Sequence, residues 1–252
     1  MLDLVIIQPK TFWGDIDRNL EHLDDLISRN KFSSDVILLP EMFSTGFSMD
    51  VHSLAETTHG KAFRWMLSKA EQYNAAITGS IIYTENNKFY NRLFWINPDG
   101  KWFSYDKRHL FSMGKEDLYF EKGNQKLIVE YKGWRICPLI CYDLRFPVWA
   151  RNNHEYDLLI YIANWPAART HVWNILLRAR AIENQCFVAG INRVGMDGEN
   201  INYIGESCVI NSKGNLECGT YDSSEQIINC KINLKDLLDF RKKFPVLDDA
   251  DF

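Results

Sequence analysis

The chain has 252 residues, of which 46% are hydrophobic and 25% are charged, and its net charge at pH 7 is −4. We expect one globular domain over residues 1–252, because no Pro/Gly/Ser-rich linker, repeat or low-complexity tract divides the sequence. The charge shows no basic cluster, which excludes a nucleic-acid groove. No segment approaches the ~20 apolar residues of a membrane span.

The amino-terminal residues predict a first strand rather than a signal peptide. Leu4 to Ile7 form only a short apolar run, and Asp3 precedes it, whereas a signal peptide needs a basic start and a longer apolar core. The six cysteines form no CxxC pair and have no histidine spacing suited to zinc. We therefore expect reduced thiols, a cytoplasmic location and no metal or other cofactor.

The following segments alternate between predicted helices and strands. Asp15 or Asp17 caps a helix with helically spaced apolar residues, and the run DVILLP is a buried strand that ends just before Glu41. A second helix is predicted over residues 60–73. The strand AAITGSIIYT comes next, and then a hairpin around the turn NPDG. A loop that contains Lys107 follows this hairpin.

The stretch WRICPLICYDLRFP indicates a buried strand that stops abruptly at Cys141 and leads into a helix-like segment. Such an elbow brings backbone N–H groups and the positive end of the next helix near the thiol, an environment that favours a thiolate. The alternative is that Cys141 is one more buried structural cysteine, because free cysteine is among the most buried residue types.

The carboxyl-terminal half continues the alternation. The run DLLIYIANWP is a buried strand, a long helix is predicted over residues 170–184, and further strands are predicted over 186–192, 203–210 and 226–232. The inner strands are apolar on both faces, which is typical of sheets covered by helices. The pattern predicts an α/β layered fold and leaves open whether there is one sheet or two.

Three chemically capable residues stand at strand ends, where α/β folds place their ligands: Glu41, Lys107 and Cys141. Their segments, LLPE, YDKRHLF and PLICYDLRFP, resemble those of the nitrilase superfamily of carbon–nitrogen hydrolases, whose signature is a Glu–Lys–Cys triad in this order. The resemblance covers almost the whole chain. The segments EMFSTGFSM, DKRHLF and ANWP are most similar to the omega-amidase branch, which hydrolyses the terminal amide of 2-oxo acid amides such as 2-oxoglutaramate.

This resemblance implies a four-layer α-β-β-α sandwich in which two mixed sheets pack face to face. It also implies a homodimer or a higher homo-oligomer, because members of the superfamily commonly dimerise. The expected partner is a small-molecule amide substrate, with no nucleic acid and no membrane.

The resemblance also assigns catalytic roles, and the chemistry of the residues supports them. Cys141 is the expected nucleophile, because a thioester intermediate splits a difficult amide hydrolysis into two easier steps. Glu41 would move the protons. Lys107 would stabilise the thiolate and, with the backbone N–H of Tyr142, the oxyanion. Glu116 is the candidate for a second, positioning glutamate of this superfamily; the alternative is an ordinary loop glutamate.

Substrate recognition calls for a group that holds a carboxylate, and a bidentate arginine does this well. Arg145 is the nearest candidate, and a structural ion pair with Asp143 or Asp157 is the alternative for it. The other residues expected to bind substrate are Asn164, Trp165 and Phe43. The alternative for Trp165 is a place in the apolar core.

Other functions remain open on the sequence alone. An N-carbamoyl-amino-acid amidohydrolase or another small aliphatic amidase would use the same triad, and a catalytically silent binding or scaffold protein would keep the fold without turnover. Papain-like catalysis would need a histidine partner, and neither His109 nor His154 lies in that family's sequence context. A glutamine amidotransferase would need a synthetase or channelling partner.

Overall fold

Two mixed six-stranded sheets form the centre of the protein, whose structure is a computed structural model that describes residues 1–30, 33–220 and 222–250. The strands of the first sheet are, in spatial order, β14 (Gln226–Ile232), β1 (Leu2–Gln8), β2 (Val36–Leu38), β3 (Ala76–Glu85), β4 (Lys88–Ile96) and β5 (Trp102–Asp106). Those of the second sheet are β13 (Leu216–Gly219), β12 (Cys208–Ile210), β9 (Phe187–Ile191), β8 (Leu158–Ile162), β7 (Trp134–Ile140) and β6 (Val129–Tyr131). A separate hairpin consists of β10 (Val194–Met196) and β11 (Asn202–Ile204).

The sequence pattern predicts three of the long helices, and it misses the carboxyl-terminal helix and the shortest ones. The helices are α1 (Ile16–Ser28), α2 (Val51–Leu54), α3 (Lys61–Tyr73), α4 (Glu116–Tyr119), α5 (Pro147–Ala150), α6 (Thr170–Glu183) and α7 (Leu234–Lys243). The Asp15 side chain caps α1 by accepting the N–H of Arg18 at 3.1 Å, as predicted. Single-turn helices such as α2 and α4 are too short to show a period. No helix within the described ranges is long and apolar enough to cross a membrane.

The alternation of side chains along β1 shows how the layers are stacked. Leu4 and Ile6 join the core between the two sheets, where they meet residues of the second sheet such as Ile136. Val5 and Ile7 point the other way, into the core beneath α1 and α3. Helix α6 covers the outer face of the second sheet with its buried side. The expected four-layer sandwich is therefore confirmed.

The strand predicted over residues 203–210 is interrupted in the structure. Gly205 and Glu206 both have left-handed backbone angles, with φ values of 73° and 56°. A Cβ atom at Gly205 would lie 2.2 Å from the side chain of Gln8, so only glycine fits there. The chain turns at this point, and the segment becomes the separate strands β11 and β12 instead of one.

The prediction of six reduced thiols is wrong for one pair. Cys218 of β13 and Cys230 of β14 form a disulfide with a Cα–Cα distance of 5.8 Å. Each lies on the edge strand of a different sheet, so the bond links the two sheets along one side. The sequence gives no sign of this, because no CxxC spacing marks two strands that meet only in the fold. The other four cysteines are free, namely Cys137, Cys141, Cys186 and Cys208.

Candidate active site

The three residues that follow predicted strands lie together at one edge of the sandwich. Glu41 comes shortly after β2, Lys107 directly after β5, and Cys141 directly after β7. β2 and β5 belong to the first sheet and β7 to the second, so the cluster forms where the two sheets meet. The topology thus brings together residues far apart in sequence.

A buried ion cluster forms the floor of the site. The Lys107 Nζ atom lies 2.8 Å from Glu41 Oε1, and it lies 3.0 and 2.9 Å from the two carboxylate oxygens of Glu116. These three side chains are at most 1% exposed. Glu116 therefore belongs to the cluster and is not an ordinary loop glutamate. One ammonium here balances the charge of only one of the two carboxylates.

Asn91 is part of this floor, and sequence reasoning missed it. Its Nδ2 atom donates to Glu41 Oε1 at 2.8 Å and to Glu116 Oε1 at 3.0 Å. Asn91 lies within β4, where a single polar residue matches ordinary strand alternation. Its complete burial is the signal of a role, and only the folded structure reveals that burial.

Cys141 occupies the sharp elbow that the sequence predicts. Its φ angle of 42° is left-handed, which is unusual for a residue with a side chain. The Sγ atom lies 3.9 Å from the carbonyl oxygen of Asn164, and the carboxylate of Glu41 is near enough for its charge to act on the thiol. The residue as a whole is only half-buried, so a ligand can approach it.

The electrostatics at Cys141 do not favour a thiolate in the resting site. Burial raises the pKa of the Cys141 thiol well above its ordinary value, the negative charge of Glu41 raises it further, and Lys107 opposes the rise. The expectation of a favoured thiolate is therefore wrong. Its physical reason is that Lys107 is not a lone cation, because Glu41 and Glu116 already neutralise it.

Lys107 and Glu116 both have raised pKa values, but for different reasons. Burial alone lowers the pKa of Lys107, but the charges of Glu116 and Glu41 outweigh burial and raise it overall. Burial raises the pKa of Glu116, Lys107 opposes that rise, and Glu41 adds to it. Lys107 is therefore a permanent cation, while Glu116 is the carboxylate that burial makes easier to protonate.

A third buried carboxylate, that of Asp143, links the Lys107 segment to the Cys141 elbow. Asp143 accepts hydrogen bonds from the Tyr105 hydroxyl at 2.7 Å and from the N–H of Ile140 at 3.1 Å. It also accepts the backbone N–H of His109 at 3.0 Å and lies 2.8 Å from the His109 ring. His109 is thus a hydrogen-bonded loop residue, as the sequence suggested, and it does not contact Cys141 in the manner of a papain-like pair.

Aromatic side chains surround the approach to the cluster. The Phe111 ring lies 6.5 Å from that of Phe47 and 5.1 Å from that of Tyr142, measured between ring centroids. The Lys107 ammonium lies 5.2 Å from the centroid of Phe47. The N–H of Phe111 also donates to Glu116 Oε2 at 2.6 Å. These rings exclude water on one side of the site and strengthen its internal interactions.

Arg145 lies at the rim of the site and forms no ion pair with any residue that the structure describes. It is exposed, and its guanidinium carbon lies 5.3 Å from the centroid of the Trp165 ring. Neither alternative ion pair forms, because Asp157 binds Arg135 and Arg241 and Asp143 has the partners given above. Trp165 itself is 3% exposed.

The remaining two candidates for substrate binding have structural partners. Asn164 donates its backbone N–H to Glu41 Oε2 at 2.9 Å and its side-chain amide to the Glu41 carbonyl at 2.7 Å, so it holds the Glu41 turn. Phe43 is 1% exposed and packs in the core between the first sheet and α3, with its ring 5.8 Å from that of Trp65. The expectation that Phe43 lines the substrate pocket is wrong, because its side chain points into this core.

The site brings a nucleophile, a base and a fixed cation together, which are the requirements for acyl transfer through a covalent intermediate. Within the described part of the chain, no group of three or more His, Cys, Asp or Glu side chains is arranged to hold a metal ion.

Comparison with known proteins gives matches along nearly the entire chain. The model of the carbon-nitrogen hydrolase family matches residues 4–242. The chain is 45% identical over 251 residues to the omega-amidase YafV of Escherichia coli (strain K12), covering 99% of this chain and 97% of the relative. It is 32% identical to the 2-oxoglutaramate amidase of Bacillus subtilis (strain 168), covering 94% of this chain and 93% of the relative.

Solved structures give the same picture. The crystal structure of XC1258 from Xanthomonas campestris, a CN-hydrolase superfamily protein with an arsenic adduct in its active site, is similar with a TM-score of 0.96 and 42% identity. The match covers 100% of this chain and 97% of that one.

Proposed function

We propose a substrate and a mechanism for this protein, which belongs to the carbon–nitrogen hydrolase family and, within the nitrilase superfamily, to the omega-amidase branch. The protein is a hydrolase that acts on amides. The proposed substrate is the terminal amide of a small 2-oxo dicarboxylic acid monoamide such as 2-oxoglutaramate, and the products are ammonia and the free acid. The observation that carries the proposal is the buried contact of Lys107 with Glu41 beside Cys141. The names of the two amidase relatives direct the choice of substrate.

In the acylation step, the Cys141 Sγ atom attacks the amide carbon while Glu41 accepts the thiol proton. Both groups contact Asn164, whose N–H donates to Glu41 and whose carbonyl oxygen lies 3.9 Å from Sγ, so the acceptor of the proton is held beside the thiol. The raised pKa of the thiol means that the proton leaves during the attack rather than before it. The negative charge on the carbonyl oxygen is stabilised by the Lys107 ammonium and the backbone N–H of Tyr142. Glu41 then gives the proton to the nitrogen, and ammonia departs from the thioester.

In the deacylation step, water attacks the thioester carbon and Glu41 accepts its proton. The C–S bond breaks, the sulfur leaves as a thiolate and takes the proton back from Glu41, and the acid is released. Over the cycle one amide and one water become one acid and one ammonia. Lys107 keeps its charge throughout, which agrees with the raised pKa of its ammonium.

Glu116 acts in this proposal as a positioning residue. It contacts Lys107 and Asn91 and is hydrogen-bonded to the backbone of Phe111, so it fixes the ammonium without touching the reacting atoms. Arg145 is the proposed ligand of the substrate carboxylate, because its guanidinium is exposed beside Trp165 and has no carboxylate partner in the described residues.

The direct test is ammonia release from 2-oxoglutaramate by the purified protein. We expect turnover by the wild type and none by Cys141→Ala, whose circular dichroism should match that of the wild type. Glutamine and an N-carbamoyl amino acid serve as comparison substrates. An active Cys141→Ala variant would end the mechanism. Activity on the carbamoyl compound alone would support the proposed triad but contradict the proposed substrate.

We also propose that the protein is a cytoplasmic homodimer or higher homo-oligomer. Ile175 and Ile182 on the outer face of α6 are 62% and 53% exposed, and an apolar surface of this kind supports self-association. Sedimentation as a monomer at micromolar concentration would contradict the oligomer. The Cys218–Cys230 disulfide is unusual for the cytoplasm, so alkylation during cell lysis tests the location. Alkylation of both thiols would support a reducing compartment, and a pair protected from alkylation would contradict it.

A further inference from the structure

Arg169 is a charged residue near the site that the mechanism above does not use. It ends the short 3₁₀ helix Ala167–Arg169, directly before α6, and its side chain is half-buried. Its guanidinium carbon lies 5.5 Å from the centroid of the Phe111 ring. Within the described ranges it forms no ion pair, so its positive charge is not neutralised by the protein.

The ring beneath Arg169 belongs to the wall of the active site. The backbone N–H of Phe111 is bonded to Glu116, and the Phe111 ring packs against Tyr142, which follows the nucleophile in sequence. Phe111 therefore separates the Arg169 guanidinium from Glu116 on the floor and from Tyr142 at the elbow.

Arg169 is also connected to Arg145. The Trp165 Nε1–H group donates to the carbonyl oxygen of Arg169 at 2.8 Å, and the guanidinium of Arg145 lies over the same Trp165 ring. The Trp165 side chain thus contacts the backbone of Arg169 and the guanidinium of Arg145, which places the two residues beside each other. We use the name arginine rim for Arg145 and Arg169 together.

The nearby carboxylates are already engaged, so they do not neutralise the arginine rim. Glu41 and Glu116 are bonded to Lys107, and Asp143 is bonded to Tyr105 and His109. Two guanidinium groups beside the active site, without a carboxylate partner among the described residues, can bind an anion with several acceptor oxygens, because arginine only donates hydrogen bonds.

We propose that Arg169 binds the 2-oxo acid end of the substrate together with Arg145 and thereby selects it against the 2-amino acid. This inference rests on the proposed function. A 2-oxo acid presents two carboxylate oxygens and a neighbouring carbonyl oxygen, all of which accept hydrogen bonds. Glutamine carries a positively charged ammonium group in place of that carbonyl. A second guanidinium repels this group and finds no acceptor on it, so glutamine is disfavoured.

The test compares Arg169→Gln and Arg169→Lys with a matched control, Arg18→Gln. Arg18 is exposed and also lies over an aromatic ring, that of Phe12 at 3.8 Å, so its loss removes the same charge and a similar contact elsewhere. The readouts are KM and kcat for 2-oxoglutaramate, for glutamine, and for pentanamide, a neutral amide with the same number of carbon atoms.

We expect Arg169→Gln to raise KM for 2-oxoglutaramate by about 10- to 100-fold, the range for one charged hydrogen-bonding partner, with a much smaller change in kcat. Activity on pentanamide should stay within about twofold of the wild type, because that amide has no anionic end. The preference for 2-oxoglutaramate over glutamine should shrink, and Arg169→Lys should restore part of it. Equal losses on all three amides would show a structural role and overturn the proposal.

The outcomes separate this inference from the proposed function. If the wild type hydrolyses 2-oxoglutaramate and Arg169→Gln behaves like Arg18→Gln, the role of Arg169 is wrong and the function stands. If the wild type hydrolyses none of the amides, calorimetric binding of 2-oxoglutarate to the Cys141→Ala protein gives the answer. Binding that weakens when Arg169→Gln is added supports the anion site, and unchanged or absent binding overturns it.

Discussion

The floor and the rim of the candidate site treat charge in opposite ways. On the floor, Lys107 is enclosed by Glu41 and Glu116, and each of these groups has several hydrogen-bonding partners. At the arginine rim, Arg145 and Arg169 have aromatic neighbours but no carboxylate partner among the described residues. The catalytic groups are thus held in place by the protein before substrate binds. The recognition groups instead leave their hydrogen-bond donors available to the substrate.

We expect the largest effect from removal of Lys107, the cation of the floor. Lys107→Met should lower kcat/KM by about 10³-fold or more, because an oxyanion partner is lost. It should also lower the free energy of unfolding by about 3–5 kcal/mol, as breaking a buried ion pair does. Urea unfolding and ammonia release measure the two effects.

The stability loss in Lys107→Met should depend on pH in a known direction. Burial already raises the pKa of Glu116, and loss of Lys107 raises it further. A carboxyl group with a raised folded-state pKa is protonated in the folded state first, so the loss should shrink as pH falls toward about 5 and grow as pH rises. The control is Lys61→Met, an exposed residue paired with Asp17, whose loss should change stability by less than about 1 kcal/mol.

A milder change to the floor is Glu116→Gln, which keeps the size of the side chain and removes its charge. We expect kcat to fall by about 10²-fold through misplacement of Lys107, with KM for 2-oxoglutaramate little changed. Glu121→Gln is the control, because Glu121 is exposed and pairs with Lys88 instead. An increase in KM at constant kcat would show that Glu116 contributes to substrate binding rather than to the position of Lys107.

The alkylation rate of Cys141 tests the electrostatic environment of the floor. Because burial and Glu41 raise the pKa of the thiol, iodoacetamide should alkylate Cys141 more slowly than free cysteine at pH 7, and the rate should climb as pH rises. Removal of a negative neighbour in Glu41→Gln should shift this profile to lower pH. Peptide mass spectrometry measures the rates. Rapid alkylation of the wild type at pH 6 would contradict the neutral thiol.

Burial also raises the pKa of Cys137 and Cys208 to about 12. These two free cysteines should therefore remain unmodified in the same experiment, and they serve as internal controls.

The smallest expected effect concerns salt. Raising the ionic strength from about 0.05 to 0.5 M should raise KM for 2-oxoglutaramate by a few-fold, because exposed charges are screened. The same change should leave kcat nearly constant, since the floor is buried. A strong loss of kcat would show that the two regions are not electrostatically separate. Pentanamide, which lacks a charge, is the control.

The site residues that lie at strand ends can be predicted from the sequence. Glu41, Lys107 and Cys141 follow apolar runs, so their placement at one edge of the fold could be predicted. Asn91 could not, because it lies within β4, and its burial and its bonds to Glu41 and Glu116 form only in the folded protein. The neutral thiol also escaped prediction, since the sequence does not tell how many carboxylates enclose Lys107.

In the fold, too, the features with a local sequence pattern can be predicted, and those that depend on distant contacts cannot. Helices of three turns or more, such as α1 and α6, carry a period that identifies them. The break between β11 and β12 depends on contact between Gly205 and Gln8, which are far apart in sequence. The disulfide likewise joins strands that meet only after folding. Long-range contacts of this kind leave no local pattern to read.

The left-handed backbone angle of Cys141 has a consequence for the evolution of the protein. Glycine adopts that angle freely, whereas any side chain there costs about 1 kcal/mol or more. A search for thermostable variants that ignored activity would therefore tend to replace Cys141 with glycine. The fold retains there a residue that works against its own stability, and selection for turnover keeps it there.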